Sequence, residues 1–394
     1  MLAGLVALRL AFPLALLALS GRSVPVVRDW EYRPVVGDGH AYMSSTRELV
    51  ASAGRVPVVA LAGVLAVAAL GVLAWRRLPR LWAIPAVALA ASVVLAAPVL
   101  EMERSASGGI GWPLAWAGPL GVERVLGITS DDAAFAAGFG VSLVAQAVTV
   151  VAVGYAALFA TGSRRAGELA AALAALWPLL LAFALDPGED VNNTWLVETG
   201  LVLHTEPLST ALVAAGTALA LARFETAPPL AGVAFGLAAA TRPTNALVAL
   251  AALSLYLAAR RLRGALAYVA GFAAVAPLVL AFETRETAYE LAELGGGVFS
   301  LDNVVPTFAD STVHPVAFVV AVLLVAAGAA AMRDAAAAFL VASVALTAGF
   351  YALFSHTDGH PRYLLAAVPA LLVLAAAACS KAFVRIGAAP EHPR

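Results

Sequence analysis

The sequence predicts an all-α polytopic membrane protein with about twelve transmembrane helices, cytoplasmic termini and long outer loops that include short interfacial helices. Three observations predict this fold class: the composition, the length of the apolar runs and the placement of the arginines. The 394 residues are 62% hydrophobic and 12% charged, with a mean hydropathy of +0.90. A run of about 20 apolar residues spans a bilayer, because each helical residue rises about 1.5 Å. A cytosolic protein is therefore excluded, and we expect residues 1–394 to form a single integral membrane domain.

Net charge and cysteine content exclude two further features. The formal net charge is −1, which gives no sign of nucleic-acid binding. The single cysteine, Cys379, excludes an internal disulfide and lies in an apolar run, where we expect it to pack between helices.

The apolar runs divide the chain into twelve candidate spans. Their expected positions are 2–20, 56–75, 81–100, 132–160, 167–185, 205–222, 227–241, 243–259, 264–282, 315–332, 335–354 and 363–380. The first run carries Arg9, which is tolerable only if it faces protein or snorkels. This run could be misread as a signal peptide, but Ala18-Leu19-Ser20 is a poor cleavage site, so we expect an uncleaved helix.

The runs 227–241 and 243–259 are separated only by Thr241 and Arg242. They form either a tight hairpin of two spans or one broken segment.

Arginines indicate which gaps face the cytoplasm. With twelve spans and cytoplasmic termini, the basic gaps all fall on one side and are short, as the positive-inside rule expects. These basic residues are Arg76, Arg77, Arg80, Arg164, Arg165, Arg223, Arg260, Arg261, Arg263, Arg333, Lys381 and Arg385. The other gaps hold most of the acids and histidines, so we expect any chemistry at the outer membrane face. These outer loops lie near 21–55, 101–131, 186–204, 283–314 and 355–362.

The first outer loop contains a polar cluster, GDGHAYMSSTREL, at residues 37–49. Glycines flank Asp38, so we expect a tight turn there, followed by a short helix over 42–50 lying on the membrane. At a lipid interface a raised pKa would suit Asp38 as a general base. An Asx-turn that merely shapes the loop is the alternative.

The second long loop, 101–131, carries Trp112 and Trp116 among glycines. Tryptophan is enriched at membrane–water interfaces, so we expect an interfacial segment with both rings at headgroup depth.

Two polar motifs flank short apolar runs in the middle of the chain. Glu206 and Pro207 stand where the sixth span begins; Pro207 suits a first helical turn, and an acid is favoured there by the helix dipole alone. Arg242 could snorkel to the interface, or its guanidinium could bind the phosphate of a lipid.

The last outer loop reads SHTDGHPRY, residues 355–363. A metal site is conceivable from His356, Asp358 and His360, although their spacing is not a recognised zinc pattern. Phosphate recognition by Arg362 with the histidines is the more economical interpretation, and a solvated loop is the third.

Four stretches together resemble the GT-C glycosyltransferases, polytopic enzymes that use polyprenyl-phosphate sugars. They are the acidic turn 37–42 after the first span, the acid-led helix start 204–208, the GLAAATRPT stretch 236–244, and HPRY at 360–363 followed by Pro369. The resemblance covers most of the chain in order and orientation.

The resemblance implies an inverting, mannosyltransferase-like hexosyltransferase in the cell membrane, with its active site outside. Asp38 would be the catalytic base, and Glu206 would orient the acceptor or a sugar hydroxyl. The expected phosphate-binding residues are Arg242, Arg362, His356 and His360. The expected acceptor or loop-support residues are His40, Tyr42, His204 and Tyr363.

The implied partners are a polyprenyl-phosphate-linked sugar donor, membrane lipids, and a lipid, glycan or protein acceptor. The paired acids of some family members are absent around Asp38, so a divalent cation stays open as a cofactor. A secondary transporter is the main alternative, since twelve spans is also common among carriers. Another outer-face transferase, an acyltransferase or a polysaccharide ligase, would share the same geometry.

Overall fold

A computed structural model gives the fold of most of the chain. It describes residues 1–20, 38–55, 57–102, 110–128, 130–184, 205–283, 303–304, 314–332, 334–353 and 361–387. Within these ranges the regular structure is helical, with no strand. The all-α prediction is therefore confirmed for the described part of the chain.

The first seven helices run from the N-terminus to residue 184. They are α1 (Leu2–Ser20), α2 (Asp38–Arg55), α3 (Pro57–Arg77), α4 (Arg80–Leu100), α5 (Gly111–Val125), α6 (Asp131–Thr161) and α7 (Arg164–Ala184). The next eight are α8 (Glu206–Leu221), α9 (Ala227–Thr241), α10 (Ala246–Ala258), α11 (Leu262–Ala273), α12 (Ala276–Glu283), α13 (Pro315–Met332), α14 (Ala335–Leu353) and α15 (Val368–Gly387). Two 3-10 segments, Pro243–Asn245 and Pro361–Ala367, precede α10 and α15.

Each of the twelve predicted apolar segments contains a helix. Seven helical stretches of the described chain are long and apolar enough to cross a membrane: Arg80–Leu100, Ala133–Thr161, Arg164–Ala182, Leu262–Phe282, Pro315–Met332, Ala335–Leu353 and Leu364–Ala382. Four more apolar helices are shorter: Leu2–Ala18, Glu206–Leu221, Ala227–Thr241 and Pro243–Ala258. The protein is thus a polytopic membrane protein, and the count of twelve spans stays a prediction.

Helices α9 and α10 form a tight antiparallel hairpin, which decides between the two predicted alternatives. At the turn, the Asn245 side-chain amide donates to the Ala238 carbonyl oxygen over 2.8 Å. At the far ends, Pro228 and Tyr256 both lie within 4 Å of a Cβ placed on Gly264. The start of α9 therefore meets the end of α10, as two antiparallel helices require.

Small residues let the central helices pack backbone against backbone. A Cβ on Gly232 of α9 would overlap the Tyr268 carbonyl oxygen of α11 and lie 2.8 Å from the Phe272 amide nitrogen. Gly328 of α13 meets the Leu374 carbonyl of α15 in the same way. In lipid, such van der Waals contact replaces the hydrophobic drive that packs helices in water.

Three local predictions concern Arg9, the start of α2 and the two tryptophans of α5. Arg9 is 2% exposed, so it faces protein as one prediction allowed. The prediction of a tight turn at Asp38 is wrong. Residues 38 and 39 already belong to α2, and the first turn of a helix favours an acid. The headgroup depth of Trp112 and Trp116 stays a prediction. Both are fully buried, and the Trp116 ring nitrogen donates to the Ala134 carbonyl over 2.9 Å.

Gly232→Ala should destabilise the protein by about 1–3 kcal/mol, because the new methyl group displaces α9 from α11. The matched control is Gly140→Ala in α6, where a Cβ meets nothing within 4 Å. That change should be neutral or stabilising by up to about 1 kcal/mol from helix propensity. Unfolding of both variants in the same detergent measures the difference, and equal stabilities would contradict the packing.

Candidate functional site

The candidate site begins at the first turn of α8. Glu206 is the first residue of this helix, and its side chain is only 3% exposed. The Thr205 hydroxyl donates to Glu206 Oε2 over 3.3 Å rather than capping the helix backbone. The helix dipole also favours a carboxylate at this position. The acid that the sequence places at the start of this helix is therefore buried.

Arg242 ends α9 beside this acid. The residue leaves the helix in an extended conformation, with φ −151° and ψ 111°, because Pro243 disfavours a helical residue before it. Its Nη1 lies 3.1 Å from Glu206 Oε1, and its side chain is 17% exposed. The structure thus brings together two residues predicted separately, one as a catalytic acid and one as a phosphate ligand.

The turn that carries Arg242 is fixed on both sides by side-chain hydrogen bonds. Asn245 donates its amide to the Ser209 hydroxyl of α8 over 2.7 Å. Thr244 and Tyr351 of α14 share a hydrogen bond of 2.8 Å between their hydroxyl oxygens. The turn therefore links α8, α9, α10 and α14, and the guanidinium has a defined position.

Helices α2 and α5 pack across the same ends of α8 and α9. A Cβ on Gly111, the first residue of α5, would lie 2.8 Å from Thr241 Cα, directly before Arg242. Met43 of α2 belongs to a buried cluster with Trp112 that Leu208 of α8 packs against. Both helices therefore lie close to the ends of α8 and α9 that carry the ion pair.

The segment that carries Arg362 and Tyr363 also reaches this region. Both residues lie in the 3-10 segment Pro361–Ala367, which packs against α8 and α14. The described structure gives their backbone but not their side chains. It places the predicted phosphate ligand Arg362 on a segment adjoining the helix that begins with Glu206.

Several predicted site residues cannot be placed in the same detail. His204, His356 and His360 lie outside the described residues. Asp38, His40 and Tyr42 lie in the first turns of α2, where only the backbone is described. Their predicted roles stay predictions.

An open groove of about 440 Å³ lies along α2. It is lined by Met43, Ser44, Arg47, Glu48 and Ala51. Arg47 and Glu48 belong to the polar cluster of the first loop but were given no role in the sequence interpretation. Their helical spacing from Ser44 and Ala51 was the available signal, since residues three and four apart share a helix face.

Three further site residues were missed by sequence reasoning. Ser209 is three residues after Glu206, so the shared helix face was a usable signal. Asn245 is in the TRPTN turn, whose polar residues were noted without a role. Tyr351 lies in an apolar run 107 residues from its partner, and nothing in the sequence marked it.

Among the described residues, no group of three or more His, Cys, Asp or Glu side chains is arranged to hold a metal ion. Comparison with known proteins finds no family model that matches the chain and no significantly similar curated protein.

Chemically, the site can hold an anion near a fixed guanidinium. An arginine supplies five N–H donors in a planar fork that matches phosphate oxygens. The contact with Glu206 through Nη1 orients the plane of this fork, and the Arg242 side chain is 17% exposed. The pair is electrically neutral as a unit, which makes its burial tolerable.

Removing either partner of the Glu206–Arg242 pair should destabilise the protein by about 3–5 kcal/mol, because a buried charge loses its partner. Glu206→Gln combined with Arg242→Gln should cost less than the sum of the two single variants. Unfolding of the two single variants and the double variant in detergent gives the coupling energy.

The control is the exposed pair Arg164–Glu168, joined over 2.9 Å at the start of α7. Arg164→Gln should cost no more than about 1 kcal/mol. A strictly additive Glu206–Arg242 double variant would contradict the coupling.

Proposed function

We propose that the protein is a membrane glycosyltransferase of the GT-C type. It moves a hexose, mannose or a similar sugar, from a polyprenyl-phosphate donor to an acceptor at the outer face of the cell membrane. The observation that carries the proposal is the Glu206–Arg242 pair, 3.1 Å apart, at the adjoining ends of α8 and α9. A fixed and partly exposed arginine beside apolar helices suits a ligand that combines a phosphate with a lipid tail.

In the proposed reaction, Asp38 accepts the proton of an acceptor hydroxyl. The hydroxyl oxygen attacks the anomeric carbon and forms the new glycosidic bond with inversion. The bond between the anomeric carbon and the phosphate oxygen breaks, and its electron pair leaves with the polyprenyl phosphate. Preorganised positive charge lowers the barrier because it stabilises the charge that develops on this leaving group.

Arg242 is the proposed source of that positive charge, together with Arg362 and the histidines His356 and His360. Glu206 is then a positioning residue: its carboxylate holds the Arg242 fork and is itself only 3% exposed. This role differs from the direct contact with acceptor or sugar that the resemblance implies for Glu206. Its burial and its contact with Arg242 support the change.

The proposed topology has twelve spans and both termini in the cytoplasm. The antiparallel pairing of α8 with α9 and of α9 with α10 supports alternating directions in this part of the chain. It puts Glu206 and Arg242 at one end of the bundle and Arg223 and Arg260 toward the other, as the positive-inside rule requires.

A secondary transporter is the second candidate, and the burial of Arg9 favours it. Arg9 is 2% exposed in α1, and Gln146 is 1% exposed in α6, which packs against α1. An ionisable residue within a membrane-spanning bundle often marks a substrate pathway.

The enzyme proposal predicts sugar transfer from at least one donor in a panel of radiolabelled polyprenyl-phosphate sugars, in membranes that contain the protein. Asp38→Asn should lower transfer by about 10²-fold or more, since general-base catalysis contributes that much. Asp334→Asn is the control and should retain full transfer. Sugar transfer by the Asp38→Asn variant at the native rate would contradict the assignment of Asp38 as the general base. No transfer with any donor, together with substrate uptake by proteoliposomes, would favour the transporter.

The topology predicts opposite labelling of two single cysteines in a Cys379→Ser background. Ser105→Cys, in the gap between α4 and α5, should react with a membrane-impermeant maleimide in intact cells. Ala259→Cys, exposed at the end of α10, should react only after the membrane is permeabilised. Labelling of both from one side would contradict the twelve-span arrangement.

A further inference from the structure

A second feature lies far along the chain from the candidate site, between α3 and α4. The two helices enclose a groove of about 570 Å³. Its wall and floor include Gly71, Trp75, Ile84, Ala88, Ala91 and Val233. Small residues keep the groove open: a Cβ on Gly71 would first meet Val87 of α4 at 3.7 Å.

The groove is almost entirely apolar and opens on the exposed surface of α3 and α4. Of the residues that line it, Arg76 alone carries a charge. Val72 and Trp75 on its rim are 55% and 56% exposed. The α4 part of the wall spans residues 83–91, about 12 Å of helix at 1.5 Å per residue. Its apolar lining and its length match a segment of hydrocarbon chain.

The mouth of the groove is strongly basic. Arg76 and Arg77 end α3, Arg80 begins α4, and all three are exposed. The guanidinium of Arg80 lies over the Trp75 ring, 5.5 Å from the ring centroid, which anchors one cation at the rim. Residues 57–100 contain no acid, so neither helix supplies a compensating charge.

We propose that this groove binds one acyl chain of an anionic phospholipid, with the lipid phosphate at Arg76, Arg77 and Arg80. An amphiphile with an apolar chain and an anionic head matches both parts of the site. A zwitterionic lipid presents an ammonium group to the same arginines and loses most of the electrostatic gain. The site is separate from the proposed glycosyltransferase chemistry and does not depend on it.

The arginines should determine the choice of headgroup, and the groove should determine retention of the chain. Each arginine near a membrane surface strengthens anionic-lipid binding, so the three together favour an anionic headgroup by roughly tenfold or more. Apolar contact along the groove is independent of the headgroup, so filling the groove with larger side chains should weaken the binding of every lipid.

The experiment is lipid titration of the purified full-length protein, followed by native mass spectrometry in a mild detergent. Phosphatidylglycerol and phosphatidylcholine with identical acyl chains are the two probes. We expect one phosphatidylglycerol bound per chain, about tenfold more tightly than phosphatidylcholine.

Two variants and two matched controls separate the contributions. The first variant replaces three arginines and combines Arg76→Gln, Arg77→Gln and Arg80→Gln. It should bind phosphatidylglycerol only as tightly as phosphatidylcholine. Ala88→Phe with Ala91→Phe should weaken both lipids by a similar factor. Arg260→Gln, Arg261→Gln and Arg263→Gln together form the charge control, and Ala326→Phe on exposed α13 is the volume control; both should bind like the native chain.

Equal affinity of the native chain for the two lipids would overturn the proposal. An equal loss of phosphatidylglycerol in the Arg260–Arg263 control would also overturn it, because binding would then follow net charge and not this site. Thermal unfolding of each variant shows whether it is folded. If the phenylalanine variant does not fold, the native lipid preference and the triple glutamine variant decide the question alone.

Discussion

The tight turn between α9 and α10 is the constraint on which the candidate site depends. It reverses the chain within four residues, so α9 and α10 pack antiparallel and Arg242 points at the first turn of α8. Asn245 and Thr244 then attach the turn to α8 and α14 through hydrogen bonds of 2.7 and 2.8 Å. Proline at 243 makes this geometry favourable, because it disfavours helix at Arg242 and cannot donate a backbone hydrogen bond.

The ion pair follows from the same turn, and it sets a condition on any ligand. An isolated charge buried among apolar helices is costly, so Glu206 and Arg242 stabilise one another. An incoming phosphate therefore competes with Glu206 for the guanidinium and needs additional positive charge to bind well. Arg362 is the natural source, since its 3-10 segment packs against α8. The proposed site thus needs both arginines, and Arg242 alone would favour its internal partner.

The sequence predicted the helices better than the contacts between them. Apolar runs bounded by arginines and prolines placed α1, α9 and α13 to the residue, because helix length and hydropathy are local properties. Burial of Trp112 was missed, because a tryptophan beside glycines has the same local pattern at an interface and in a core. The glycine turn at Asp38 was wrong, since Gly39 is compatible with a first helical turn. The Thr244–Tyr351 bond joins distant segments, and such pairs carry no local signal.

The lengths of α8, α9 and α10 favour a lipid-linked substrate over a water-soluble one. Helices α8, α9 and α10 have 16, 15 and 13 residues, which corresponds to about 20–24 Å at 1.5 Å per residue. The hydrocarbon core of a bilayer is about 30 Å thick. In the proposed topology, the Glu206–Arg242 pair therefore lies below the outer surface of the hydrocarbon layer. A water-soluble donor would have to leave water to reach it. A donor with a polyprenyl tail is already in the membrane, so only its phosphate and sugar need to enter the polar site.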